Sequence, residues 1–208
     1  MAVLKGKFFI AGTDTGVGKT WVSCRLLEKA AQSGLQCYGL KPVAAGCEET
    51  IDGWRNDDAV ALMQSASVKL DYDLVNPIAL KAAMAPHIAA KKENRTLRLP
   101  RLPGYINGAL LTHKADLVLI EGAGGWRVPL NDFEMLSGIA VHMELPVILV
   151  VGMRLGCINH ALLTADAICA DGCHLAGWVA NDLGEPMEEL EENIATLEKL
   201  MPAPRIIL

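Results

Sequence analysis

Gly12-Thr13-Asp14-Thr15-Gly16-Val17-Gly18-Lys19-Thr20 is the stretch whose reading decides the fold. An apolar run, Lys7 to Ala11, precedes it and reads as a strand. The pattern that follows, Gly18 to Gln32, repeats Val22, Leu26, Leu27 and Ala30 at helical spacing. A glycine-rich loop between a strand and a helix, ending in Gly-Lys-Thr, is built to cradle phosphate. Glycines let backbone N–H groups approach the oxygens, and the helix N-terminus adds partial positive charge. Lys19 is placed to reach the β- and γ-phosphates, and the Thr20 hydroxyl to bind Mg²⁺. The spacing departs from the usual pattern, with five residues rather than four between Gly12 and Gly18.

Outward from the loop, short apolar runs alternate with helical patterns. Gln36–Leu40, Asp116–Ile120, Pro146–Val151 and Leu175–Ala180 read as further strands. Asn56–Ser65, Leu102–Lys114, Ile158–Ala170 and Met187–Leu200 read as helices, and Lys91–Pro103 as a polar loop. Continuously apolar strands separated by helices predict a three-layer α/β fold. Its sheet is mostly parallel with helices on both faces, the P-loop NTPase-like arrangement, and 208 residues suit one such domain. Ligands of such a sheet bind at the carboxyl ends of its strands.

The charged residues after the strands are therefore the candidates. Lys41 follows the second strand. Asp57 and Asp58 either hold a metal or cap a helix, with nothing in the residues to decide between them. Glu121 ends an apolar strand before Gly122-Ala123-Gly124-Gly125, where a metal-side carboxylate is expected. Gly156-Cys157-Ile158-Asn159-His160 opens a helix and is a candidate anion site, with Cys157 read as a small buried filler. Asn181 ends a strand, where its amide would read an adenine edge or form a turn.

Composition excludes several classes. The net charge is −5 with no basic stripe, which argues against nucleic acid. No apolar run is long enough to span a bilayer, and no secretory leader is visible. Six cysteines without C-x-x-C pairing suggest reduced thiols and a cytoplasmic location.

Taken together, these segments resemble the dethiobiotin synthases from Phe9 to Pro204. The phosphate loop, Lys41-Pro42-Val43-Ala44, Arg55-Asn56-Asp57-Asp58-Ala59, Glu121 to Trp126, Gly156 to His160 and Gly177 to Asn181 carry the likeness in that order. The resemblance implies an ATP- and Mg²⁺-dependent ligase of biotin biosynthesis. Its substrates would be 7,8-diaminononanoate, CO₂ and ATP, joined through a phosphorylated carbamate. It further implies a homodimer. Lys19, Lys41 and Thr15 would act at the transferring phosphoryl group. Thr13, Asp14, Gly16, Val17, Gly18, Lys19, Thr20 and Asn181 would hold the nucleotide, and Thr20, Asp58 and Glu121 the metal. Substrate would meet Lys41, Ala45, Gly124 and, from the partner subunit, Gly156, Cys157, Ile158 and Asn159.

Three departures are visible. Gly16 stands where some members have a glutamate. Ala45 stands where a serine often contacts substrate, which costs on the order of 1 kcal/mol of binding. Members usually continue past Pro204 to Leu208 with a turn and helix that shape the base pocket, which predicts loose choice among nucleoside triphosphates. A nucleotide-switch ATPase is the main alternative, although many of these carry a lysine near the start of the loop, where Thr13-Asp14-Thr15 stands. An amidotransferase-like synthase would need a glutaminase portion. A binding-only member would not need Lys19, Lys41, Asp58 and Glu121.

Overall fold

Five parallel strands form the centre of the molecule, in the spatial order Cys37–Leu40, Leu117–Glu121, Gly6–Gly12, Val147–Met153 and Leu175–Asp182. The computed structural model describes residues 3–184 and 186–208. In chain order the elements are β1 Gly6–Gly12, α1 Lys19–Gln32, β2 Cys37–Leu40, β3 Val43–Ala45, β4 Glu48–Thr50, β5 Gly53–Arg55, α2 Asp57–Ser65, α3 Tyr72–Val75 and β6 Ile78–Leu80. They continue with α4 Pro86–Lys92, a 3₁₀ turn Leu99–Arg101, α5 Leu102–Thr112, β7 Leu117–Glu121, α6 Gly138–His142, β8 Val147–Met153, α7 Cys157–Ala170, β9 Leu175–Asp182 and α8 Leu190–Leu200.

Strands buried on both faces explain the unbroken apolar runs: every residue of β7 and β8 is buried. Successive side chains point to opposite faces. Leu117 and Leu119 join Val22, Leu27 and Leu62 in the core beneath α1 and α2, with Ile10, Ile148 and Val150. Val118 and Ile120 join Phe9, Leu149 and Val151 in the larger core under α5, α6 and α7, with Leu102, Ile106, Ile139 and Ile168. Pro204 to Ile206 run beside β9, where the Ile206 N–H donates to the Trp178 carbonyl at 2.7 Å.

The observed strands match the predicted ones to within two residues at each end, and the corrections lie elsewhere. The expected Lys91–Pro103 loop is shorter. α4 runs through Lys92, the 3₁₀ turn begins at Leu99, and α5 already contains Leu102 and Pro103. The prolines start these elements instead of ending them, because a first-turn proline loses no hydrogen bond. The helix expected from Met187 begins at Leu190, and the one expected to reach Lys114 stops at Thr112. β3 and β6 pair in parallel and β4 and β5 form a hairpin, neither of which the apolar pattern marked. All six cysteines are free thiols. Among the described residues, no helix is long and apolar enough to cross a membrane.

Candidate active site

The carboxyl ends of β1, β2 and β7 open on one cavity of about 1060 Å³. The phosphate loop forms its floor. Gly18, the N-cap of α1, has φ +82°, a conformation that suits glycine, and no side chain caps the helix. The first turn of α1 carries no acid, so its N–H groups and partial positive charge are uncompensated. Thr13, Asp14, Thr15, Gly16, Lys19 and Thr20 line the cavity. Val17 does not: it is buried against Gly12 and Gly152 and anchors the loop to the strand ends.

Lys19 is tethered by its own loop and by the opposite one. Its Nζ donates to the Asp14 carbonyl at 3.3 Å and to the Gly124 carbonyl at 2.6 Å. Burial, and then the charge of Lys41, lower its pKa to about 8. Lys41 is more deeply enclosed. Its Nζ donates to Asp58 Oδ2 at 2.9 Å, Glu121 Oε1 at 2.6 Å and the Gly122 carbonyl at 3.1 Å. Burial alone would lower its pKa, but Glu121 and Asp58 together raise it above the ordinary lysine value. Burial works equally against an ionised Asp58, and Lys41 overturns that, holding the carboxyl below its usual range.

Glu121 lies behind the cavity and is 1% exposed. Thr20 Oγ1 donates to its Oε1 at 2.7 Å, and Ser23 Oγ to its Oε2 at 2.9 Å. Asp58 and Glu121 thus present carboxylate oxygens to one cation, the Lys41 ammonium, and the Thr20 hydroxyl meets the same Glu121 oxygen. Hard oxygen donors already gathered around a positive charge fit Mg²⁺. Among the described residues there is no cluster of three or more His, Cys, Asp or Glu, so such a site rests on two carboxylates and a hydroxyl.

The backbone around Lys41 is fixed by residues that sequence reading missed. Asn76 Nδ2 donates to the Lys41 carbonyl at 2.6 Å, and Tyr72 Oη to Asn76 Oδ1 at 2.9 Å. The Asn56 N–H donates to Tyr72 Oη at 2.7 Å. This chain ties Lys41 to the start of α2. There the side chain of Asn56 caps the helix by accepting from Ala59 N–H, while Asp58 turns to Lys41. Capping of α2 thus falls to Asn56, and Asp58 is engaged by Lys41. Arg154 was also missed: its Nη2 donates to Asp14 Oδ2 at 2.6 Å, while Asp14 Oδ1 accepts from Thr15 N–H.

Ala45 and Gly124 line the cavity as expected. Asn181 lies behind the loop, donating from Nδ2 to the Val17 carbonyl at 2.9 Å. Gly156, Cys157, Ile158 and Asn159 do not line this chain's cavity, and Cys157 is buried. The far wall is apolar and was not marked by any motif: Ala83 to Pro86, Val128, and Leu163 and Ala167 of α7. An alanine at Gly18 would be strained, and its Cβ would overlap Asn181 Nδ2. Gly18→Ala is therefore expected to weaken ATP binding by at least about tenfold in calorimetry. An unchanged Kd would mean that the loop geometry is not needed.

The chain from residue 6 to 207 matches the family model described as AAA domain. It is 56% identical to the ATP-dependent dethiobiotin synthetase BioD of Cellvibrio japonicus, over 96% of this chain and 87% of that protein. This chain belongs to the dethiobiotin synthetase family. Family members of the same name from Pseudomonas aeruginosa and Marinobacter nauticus are 52% and 50% identical, over 95% and 91% of the chain and 86% and 80% of theirs. Solved structures extend the fold comparison beyond the dethiobiotin synthetases. The signal recognition particle receptor FtsY of Elizabethkingia anophelis in complex with GDP superposes with TM-score 0.58 at 16% identity, over 99% of this chain and 57% of that one. The septum site-determining protein MinD of Pyrococcus horikoshii, complexed with Mg-ADP, gives TM-score 0.50 at 16% identity, over 96% and 79%. At these identities the likeness is one of fold alone.

Proposed function

We propose that this chain converts 7,8-diaminononanoate, CO₂ and ATP into dethiobiotin, ADP and phosphate. The observation that carries this reading is the pair Lys19 and Lys41, both facing one cavity between the phosphate loop and the Glu121-to-Gly125 loop. The cavity is large enough for a triphosphate and a nine-carbon diamine together. Its apolar wall suits an alkyl chain, and its lysine end suits a carbamate and a γ-phosphate.

One amine of the substrate adds to CO₂ and loses a proton, giving a carbamate. The carbamate oxygen attacks the γ-phosphorus and ADP leaves. The second amine then attacks the carbamoyl carbon, the ring closes, and phosphate leaves with the oxygen that came from CO₂. Lys19 neutralises charge on the transferring phosphoryl group and Lys41 on the carbamate, with Thr15 donating at the transferring group; the work is positioning and electrostatic stabilisation. Thr13, Asp14, Gly16, Val17 and Gly18 form the loop around the nucleotide, with Thr20 at its metal side. Val17 contributes by backbone, because its side chain is buried. Since the Val17 carbonyl accepts from Asn181 Nδ2, Asn181 Oδ1 is left to accept from an amino group on the base.

Thr20, Asp58 and Glu121 are the residues that would hold Mg²⁺, which when bound supplies charge neutralisation of the phosphates. Lys41 lies between those two carboxylates and faces the same cavity, placed to meet the carbamate. Ala45 and Gly124 border the substrate. Gly156 to Asn159 open α7 outside this chain's own cavity, next to Leu155, which is fully exposed. This supports a homodimer in which each partner offers that helix start to the other's substrate carboxylate. The reading includes a cytoplasmic enzyme that uses neither nucleic acid nor a membrane.

Oxygen transfer tests the chemistry. In short turnovers with ¹⁸O-labelled bicarbonate, the released phosphate is expected to carry one labelled oxygen. Unlabelled phosphate would show that no carbamate–phosphate anhydride forms.

A further inference from the structure

A second, smaller cavity of about 230 Å³ lies where the segment after α4 passes β6, and it is lined by Arg95, Thr96, Arg98, Arg101 and Tyr105. Its charge runs against that of the chain and corrects the reading that no basic stripe is present. Residues 91 to 101 contain Lys91, Lys92, Arg95, Arg98 and Arg101 against a single acid, Glu93, in a protein of net charge −5. Glu93 is already engaged by Arg95 at 3.3 Å and by the Lys81 N–H at 2.7 Å. Among the described residues, Arg98 and Arg101 form no ion pair and no side-chain hydrogen bond. The nearby acid is Glu134, and its Oε2 accepts from Leu99 N–H at 3.0 Å and Asn131 Nδ2 at 2.5 Å. Three guanidinium groups share one small concavity; Glu93 pairs with Arg95 and Glu134 acts on Arg98 without a direct bond, so the concavity keeps a net positive charge.

We propose that this cavity binds a diphosphate group, free or carried by a nucleotide. Guanidinium forks match phosphate oxygens in pairs, and the Thr96 hydroxyl adds a donor. The volume admits two phosphoryl groups. The cavity is separate from the phosphate loop, sharing no lining residue with the large cleft. Arg95 also donates to the Ala79 carbonyl of β6 at 3.1 Å, so its guanidinium is held in place at the rim.

Calorimetric titration of the full chain with inorganic pyrophosphate, without Mg²⁺, tests this in a Lys19→Met background that removes the phosphate loop's own lysine. The background protein is expected to bind one pyrophosphate, and adding Arg98→Ser and Arg101→Ser to weaken that binding at least tenfold. Adding Lys91→Ser and Lys92→Ser instead removes the same charge outside the cavity and is expected to change Kd less than twofold. A parallel titration with ADP separates the sources: ADP binding that is tighter than pyrophosphate and is lost in the Arg98→Ser, Arg101→Ser variant assigns a nucleotide, tighter pyrophosphate a free diphosphate. No binding, binding untouched by the arginine changes, or equal loss in the lysine variant would overturn the proposal.

Discussion

Replacing Lys41 by methionine is expected to lower dethiobiotin formation by at least about 10³-fold while tightening the binding of Mg²⁺ to the nucleotide-free protein. The opposite signs are the point of the experiment. In the free protein the Lys41 ammonium occupies the position between Asp58 Oδ2 and Glu121 Oε1, the oxygens proposed for the metal. A buried carboxylate left without its partner destabilises by roughly 3–5 kcal/mol. Glu121 is the more exposed to that loss, being almost wholly buried. The variant is therefore expected to unfold several degrees below wild type, and millimolar Mg²⁺ to restore much of the difference. Thermal melts with and without Mg²⁺ measure this directly. A variant whose melting temperature does not respond to Mg²⁺ would remove Asp58 and Glu121 from the metal site.

Lys19→Met should behave in the reverse way toward stability. Its loss should cost turnover as severely, about 10³-fold, yet the nucleotide-free protein should melt higher near neutral pH. Lys19 is buried with a pKa of about 8, lowered chiefly by desolvation, so its charge opposes folding. The shift corresponds to a penalty on the order of 3 kcal/mol, partly offset by the bonds to Asp14 and Gly124. Between about pH 8 and 10.5 the unfolded chain still holds this proton and the folded chain has released it. Stability contributed by this site therefore rises with pH across that window. The advantage of Lys19→Met is expected to be full below pH 8 and to shrink above it. An advantage that does not change with pH would mean that the Lys19 charge is not the cause.

These two predictions depend on contacts that span the chain, which is why only part of them was legible in the residues. The strand before Gly12 and the strand before Glu121 could be read because full burial leaves an unbroken apolar run and the ligand face leaves glycines at its end. The pairing of Lys41 with Glu121 is not written in either segment. It arises because β2 and β7 are neighbours in register, Leu40 beside Ile120. Ser23 carries no motif, and its role comes from pointing inward from α1 to Glu121. The apolar cleft wall is equally silent, since Ala83 to Pro86 read as ordinary apolar residues until β6 places them opposite the loop. The segment after α4 misled for a different reason: its prolines look like breakers and in fact occupy first-turn positions.

The central claim is tested most directly by mass-spectrometric detection of dethiobiotin from the purified protein with 7,8-diaminononanoate, bicarbonate, Mg²⁺ and ATP. The account predicts product that disappears when any one component is omitted, with ADP released in step with it. ATP hydrolysis that proceeds without the diamine and yields no dethiobiotin would contradict it.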